Sequence, residues 1–154
     1  MYDVYRAHRA LVNALVEAAM DGTTRRCFAV DLHDDADQIA RYRAWHRAGG
    51  PPVAVTAAIR ADDVRELEIW LVGDRMFMIL EQGDGYDAGA KAARDAANPD
   101  VRAWDALMRT FQKPLPFAPD RTWVEMERIY ALSEQPGPDG EASQTDQSGA
   151  PASP

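Results

Sequence analysis

Between Glu66 and Glu81 the chain alternates, and the alternation predicts a hairpin. Leu67, Ile69 and Leu71 are apolar at every second residue, Gly73-Asp74 interrupts, and Met76, Met78 and Leu80 resume the period. Successive strand side chains point to opposite faces, so each run reads as a strand with one apolar side. Two such strands joined by a two-residue Gly-Asp loop pair antiparallel in a tight turn.

The flanking segments supply the rest of an α+β fold. Upstream, Phe28, Val30 and Leu32 alternate in a strand beginning at Arg25. Asp35 then stands three residues ahead of Gln38, a capping-box spacing that starts a helix. Residues three and four apart share a helix face, so Ile39, Tyr42 and His46 form one inward stripe. Gly49-Gly50-Pro51-Pro52 stops this helix near Ala48, and Val55, Ala58 and Ile59 give Val53 to Arg60 a short second helix. Downstream, Gly83, Asp84 and Gly85 close the hairpin, and Tyr86 to Ala97 is Ala-rich and helical. Asn98-Pro99 caps a further helix, Asp100 to Phe111, with Val101, Trp104, Met108 and Phe111 on one stripe and Asp105 at its edge. Pro114, Pro116 and Pro119 hold an extended connection, and Thr122 to Leu132 alternates as a long final strand. The order β-α-β-β-α-β, with each α in two pieces, is the ferredoxin-like pattern: an antiparallel sheet with helices on one side. The other sheet face or its edge needs cover, and a homodimer is the expected remedy.

With 154 residues the chain has room for one ordinary core. Residues 25–133 read as that domain. Residues 1–24 read as an extension, either an amphipathic helix through Tyr5, Leu11, Val12, Leu15, Val16 and Ala19 or sequence ahead of a true start at Met20. From Glu134 to Pro154 the composition is too polar and too rich in Pro and Gly to offset ordering entropy, which predicts a disordered acidic tail. Four charges of the net −8 (Glu134, Asp139, Glu141, Asp146) lie on that tail, leaving −4 for residues 1–133. A basic patch for nucleic acid or anionic membrane is missing from the composition, so both are discounted as partners. No run approaches the roughly 18 to 20 apolar residues of a membrane span. The single cysteine, Cys27, cannot form an intrachain disulfide and reads as a small buried apolar residue of a cytoplasmic protein.

The chemistry-bearing residues are few. His8, His33 and His46 have no paired metal-ligand spacing, and His33-Asp34-Asp35 is better explained as a capped turn. Neither Gly49-Gly50 nor the Gly83 to Gly89 region matches a phosphate-binding loop, and there is no Gly-x-Ser-x-Gly elbow. No cofactor is expected. What remains is proton donors and aromatic surfaces. His46 has the side chain suited to proton transfer near neutrality, although an inward histidine also serves as a satisfied core residue. Tyr42 can hold His46 or a substrate hydroxyl, or place its ring in the core with its hydroxyl at the rim. Trp104 can stack on a sugar or simply fill the core, and Asp105 reads equally as a solvated helix residue.

Taken together, six ordered segments resemble the L-rhamnose mutarotase family, some of whose members are assigned to L-fucose. They are Arg25 to Leu32 with Asp34-Asp35; Tyr42-x-x-x-His46; Glu68-Ile69-Trp70-x-x-Gly73-x-Arg75 to Ile79; Asn98-Pro99-x-Val101-x-x-Trp104-x-x-Leu107-Met108; Phe111-Gln112-x-Pro114-Leu115-Pro116; and Trp123-Val124-x-Met126-Glu127. The resemblance covers about Arg25 to Leu132. It implies a dimeric ferredoxin-like α/β barrel that interconverts α and β anomers of a 6-deoxyhexose without a cofactor. It also implies His46 as proton donor, Tyr42 as a sugar contact, and a tandem tryptophan that here becomes Trp104-Asp105. A further sugar-contacting tyrosine falls at Leu67, and the family's Trp-Pro-Glu after the histidine is replaced by Gly49-Gly50-Pro51-Pro52. The base at the anomeric hydroxyl stays open among water, Asp31, Glu81 and Asp105. Two other classes fit the same inventory: a non-catalytic sugar-binding domain, and a cofactor-independent monooxygenase of the dimeric ferredoxin-like type.

Overall fold

The structure, a computed structural model, describes residues 22–137. The expected N-terminal helix, the alternative start and most of the acidic tail lie outside those residues. The chain begins with β1 (Thr24–Leu32), followed by α1 (Ala36–His46) and α2 (Val53–Ala61), then β2 (Val64–Val72) and β3 (Arg75–Gln82). Two further helices, α3 (Ala88–Ala97) and α4 (Pro99–Phe111), precede two short strands, β4 (Gln112–Lys113) and β5 (Val124–Glu125). The sheet order is β2-β3-β1-β4, with β5 also on β1 and every pairing antiparallel. That order, with all four helices in the two crossovers, is the ferredoxin-like arrangement.

Local chemistry sets the element ends. The Asp35 side chain accepts from the Gln38 amide at 2.9 Å and caps α1. Asp87 does the same for α3 through Ala90 at 2.7 Å, so that helix starts two residues after the expected Tyr86. Asn98 caps α4 through Asp100 and Val101, and Pro99 occupies the first turn, where no amide partner is needed. Gly73 takes φ +60° in the hairpin loop, a conformation that glycine adopts freely. At the other end of the hairpin, a Cβ on Gly83 would lie 2.1 Å from an Asp63 carboxylate oxygen, so a side chain there would have to displace that carboxylate.

The sheet has two unlike faces. Val30, Leu32 and Met76 join Tyr42, Met108 and Phe111 in one buried core beneath the helices. The opposite phase of the strands carries Cys27, Ala29, Trp70, Val72, Phe77, Ile79 and Val124 on a face without helices. Trp70 and Val72 are well exposed there. Cys27 is half-buried on that face, not buried as its strand position suggests.

The last strand departs most from expectation. A single strand from Thr122 to Leu132 is not formed. The fourth sheet position is instead split: β4 pairs with Asp31 and Leu32, and β5 pairs with Phe28 and Ala29. Pro114 has no amide hydrogen for the ladder and ends β4, and two turns between Leu115 and Arg121 carry the chain away before it returns. Beyond the bond from the Met126 amide to the Cys27 carbonyl, residues 127–131 have no strand neighbour. Alternation gives them the pattern of a strand, but the pattern cannot supply a partner. Residues 132–134 close in one 3-10 turn. No helix of the described residues is long and apolar enough to cross a membrane.

Candidate active site

The second and third turns of α1 put Tyr42 and His46 one above the other, and their rings stack with centroids 4.2 Å apart at 26°. His46 Nδ1 lies 2.9 Å from the Tyr42 carbonyl oxygen. A carbonyl can only accept, so Nδ1 carries the hydrogen and the ring lone pair is on Nε2. Burial pushes the imidazole below its ordinary pKa, against the opposing effect of that backbone bond. The resting ring is therefore neutral at pH 7, with one defined acceptor.

Tyr42 is held on three sides. Its ring meets His46 on one face and the edge of Phe111 at 5.7 Å, and it is only 4% exposed. Its hydroxyl accepts from Gln112 Nε2 at 3.5 Å. Burial raises the phenol above its usual pKa, and the Gln112 bond opposes that shift.

From α4, Trp104 presents its ring 5.5 Å from His46 at 60° and meets Trp45 edge-on at 6.0 Å. Asp105 is exposed at the rim, yet the protein around its carboxyl raises its pKa, with Arg109 acting in the other direction. Tyr42, His46, Trp104 and Asp105 all line one solvent-open cavity of about 770 Å³, whose apolar wall includes Leu67, Ile69 and Met78. An apolar concavity with a few convergent polar groups is the usual form of a small-molecule site.

Two carboxylates considered as bases are not in it. Asp31 and Glu81 lie on the opposite face of the sheet, where Asp31 pairs with Arg75 at 2.7 Å and Glu81 with Arg25 at 2.6 Å. The alternation already carried this result, because Asp31 is out of phase with Val30 and Leu32. Asp105 alone of the three faces the cavity. Sequence reasoning assigned no role to Gln112 or Trp123, which also line it, or to Trp45, which packs on Trp104. Trp123 sat in an alternating run that favoured neither side, and Gln112 follows a helix end, where no periodicity speaks. Among the described residues, no three His, Cys, Asp or Glu side chains gather as a metal site.

The chain matches the L-rhamnose mutarotase family over residues 25–132. It is 50% identical over 111 residues to an L-fucose mutarotase of Xanthomonas campestris pv. campestris, covering 71% of this chain and 89% of that protein. It is 27% identical over 109 residues to a UPF0734 protein of Dictyostelium discoideum, covering 68% and 86%. The crystal structure of an L-rhamnose mutarotase from Formosa agariphila aligns with a TM-score of 0.49 and 15% identity, over 71% of this chain and 98% of that one.

Proposed function

Because this chain belongs to the L-rhamnose mutarotase family, we propose that it interconverts the α and β anomers of a 6-deoxyhexose by acid/base opening and closing of the pyranose ring. L-Fucose and L-rhamnose are the sugars to test. The observation that carries this reading is His46: a neutral imidazole in one tautomer, between Tyr42 and Trp104 in an open cavity. Such a ring enters the cycle as a base. Its Nε2 takes the proton of the anomeric hydroxyl as the ring opens, and the imidazolium returns a proton to the carbonyl oxygen as the ring closes. This makes His46 a base in the opening step, where the family resemblance implies a proton donor. It also gives a base to the anomeric hydroxyl without Asp31 or Glu81.

Trp104 offers its indole to a C–H face of the sugar, and Asp105 at the rim accepts from sugar hydroxyls. A positioned acid/base contributes about 10²- to 10⁴-fold, or roughly 3 to 5 kcal/mol, which suffices for a reaction that also proceeds unaided. Every step moves only protons and the C–O bond, so the scheme uses no cofactor. The chain is proposed to work as a homodimer that covers the helix-free sheet face.

The test is NMR saturation transfer between the α and β anomeric protons of L-fucose and of L-rhamnose. The wild-type protein should accelerate exchange of at least one sugar, and His46→Ala should return it to the buffer rate. Binding of a sugar without any acceleration would instead support a non-catalytic binding domain.

A further inference from the structure

Ring opening needs a proton for the ring oxygen as well as a base for the anomeric hydroxyl, and a neutral His46 cannot supply both. The Tyr42 hydroxyl is the donor beside it, since the two rings stack 4.2 Å apart in the same cavity. A hydroxyl on its own rotates, and its proton goes to whichever acceptor is nearest. Here the hydroxyl has a neighbour that fixes its direction. Gln112 Nε2 lies 3.5 Å from Tyr42 Oη and can only donate. With one lone pair of the hydroxyl engaged from that side, its hydrogen turns elsewhere.

The Gln112 side chain is itself well placed to do this. Its backbone amide closes α4 by donating to the Met108 carbonyl, and its residue pairs with Leu32 across β4 and β1. Gln112 is 8% exposed, and its neighbour Phe111 packs edge-on against the same Tyr42 ring. A helix end and a strand pairing thus fix one residue against one hydroxyl, the rigid support that a positioned group requires.

We propose that Gln112 is a positioning residue that donates to the Tyr42 hydroxyl and so aims the Tyr42 proton at the ring oxygen of the bound sugar. The inference rests on the mutarotase reading of this cavity. In the opening step His46 Nε2 removes the O1 proton, and the O1–H electron pair becomes the second bond of the C1 carbonyl. The C1–O5 bond breaks with its pair on O5, and O5 takes the proton of Tyr42. The transfer is favourable because an alkoxide oxygen is far more basic than a phenolate. The nascent phenolate keeps the Gln112 N–H as a hydrogen-bond donor. After rotation about C1–C2, the O5 hydroxyl attacks the other face of the carbonyl. Its proton returns to Tyr42, and the imidazolium protonates O1. No electron is gained or lost by the protein.

The experiment measures kcat and KM for anomer exchange by NMR in wild type, Gln112→Glu, Gln112→Met, Tyr42→Phe and Tyr42→Phe/Gln112→Met, each with its unfolding midpoint. Gln112→Glu keeps the shape but can only accept when ionised, so it draws the Tyr42 proton to itself. Its kcat should fall about tenfold or more with KM within about twofold, as expected for loss of an aligned acid. Gln112→Met, which keeps the length without the donor, should lower kcat in the same way and serves if the Glu variant does not fold. Within Tyr42→Phe, adding Gln112→Met should change kcat less than about twofold, because a residue acting through another adds nothing once that one is gone. The inference is overturned if either foldable Gln112 variant keeps wild-type kcat, or if Gln112→Met lowers kcat equally with and without the Tyr42 hydroxyl. Those results leave the mutarotase reading standing, whereas absence of acceleration by wild type removes both.

Discussion

His46 is kept neutral by burial and oriented by the Tyr42 carbonyl, so acid should switch it off. Its folded pKa is lowered below 6.5, meaning that the unfolded chain binds the proton more readily. The stability this group contributes is complete above the unfolded value and is lost as pH falls through the folded one. Activity follows the same direction. The acid limb of kcat/KM, which reports the free enzyme's base, should have its midpoint below 6.5 once the buffer rate is subtracted. A midpoint at or above that value would count against a buried neutral base, and a limb unchanged in His46→Ala would count against His46. At this scale much of the site was legible. Spacing of four on one helix joins Tyr42 to His46, and the stripe of the later helix brings Trp104 and Asp105 to the same cavity. Gln112 was not legible, because it stands 70 positions from Tyr42 and is brought beside it by a strand pairing, not by any local period.

Element α3 is the least anchored of the four helices. It has no buried residue, and six of its ten residues are alanine. Beside its packing on α4, it is tied to the domain by charge: Asp62, 3% exposed just past the end of α2, accepts from Arg94 Nε at 2.7 Å and lies 3.3 Å from Lys91 Nζ. Burial works against the Asp62 charge, but Arg94 and Lys91 together hold its carboxyl below the usual range. Asp62→Asn keeps the volume and removes the charge. Arg94 is 54% exposed and can return to water, so the expected loss is discounted to roughly 1 to 2 kcal/mol. Hydrogen exchange should show the effect locally, with amides of α3 exchanging several-fold faster while those of β1 and β3 hold. Uniform acceleration across the sheet would mean that Asp62 supports the whole fold and not this helix. The starts of α1 and α4 could be read from the chain because Asp35 and Asn98 announce them chemically, whereas α3 starts two residues after Tyr86 and α1 ends at His46 and not near Ala48. Thr122 to Leu132 could not, since a strand exists only by pairing and nothing local says where a neighbour ends.

A single chain of this fold has one face too many. Helices cover the Val30 side of the sheet, while the other side leaves Trp70 59% and Val72 65% exposed beside Ala29, Phe77 and Ile79. Past β5 the chain adds Ile129 at 90%, Tyr130 at 63% and Leu132 at 76%. Scattered exposed apolar residues are ordinary, but a contiguous apolar sheet face with an exposed indole on its β2 edge strand has the character of an interaction surface. The order of the elements predicts that this face needs cover, and no local pattern says which residues would meet it. A second copy laid on this face would bury Trp70, and a buried tryptophan at an interface commonly carries about 2 kcal/mol or more. In the proposed homodimer, two copies of Trp70→Glu would place unpaired carboxylates at the contact, so sedimentation should show that dimer dissociating at concentrations where wild type stays paired, by a factor of about 10² or more in Kd. Val53→Glu is the matched control, because Val53 is 83% exposed on the helix side and should leave the assembly unchanged. If Val53→Glu dissociates the dimer and Trp70→Glu does not, the copies meet through their helices and the sheet face must be covered in some other way.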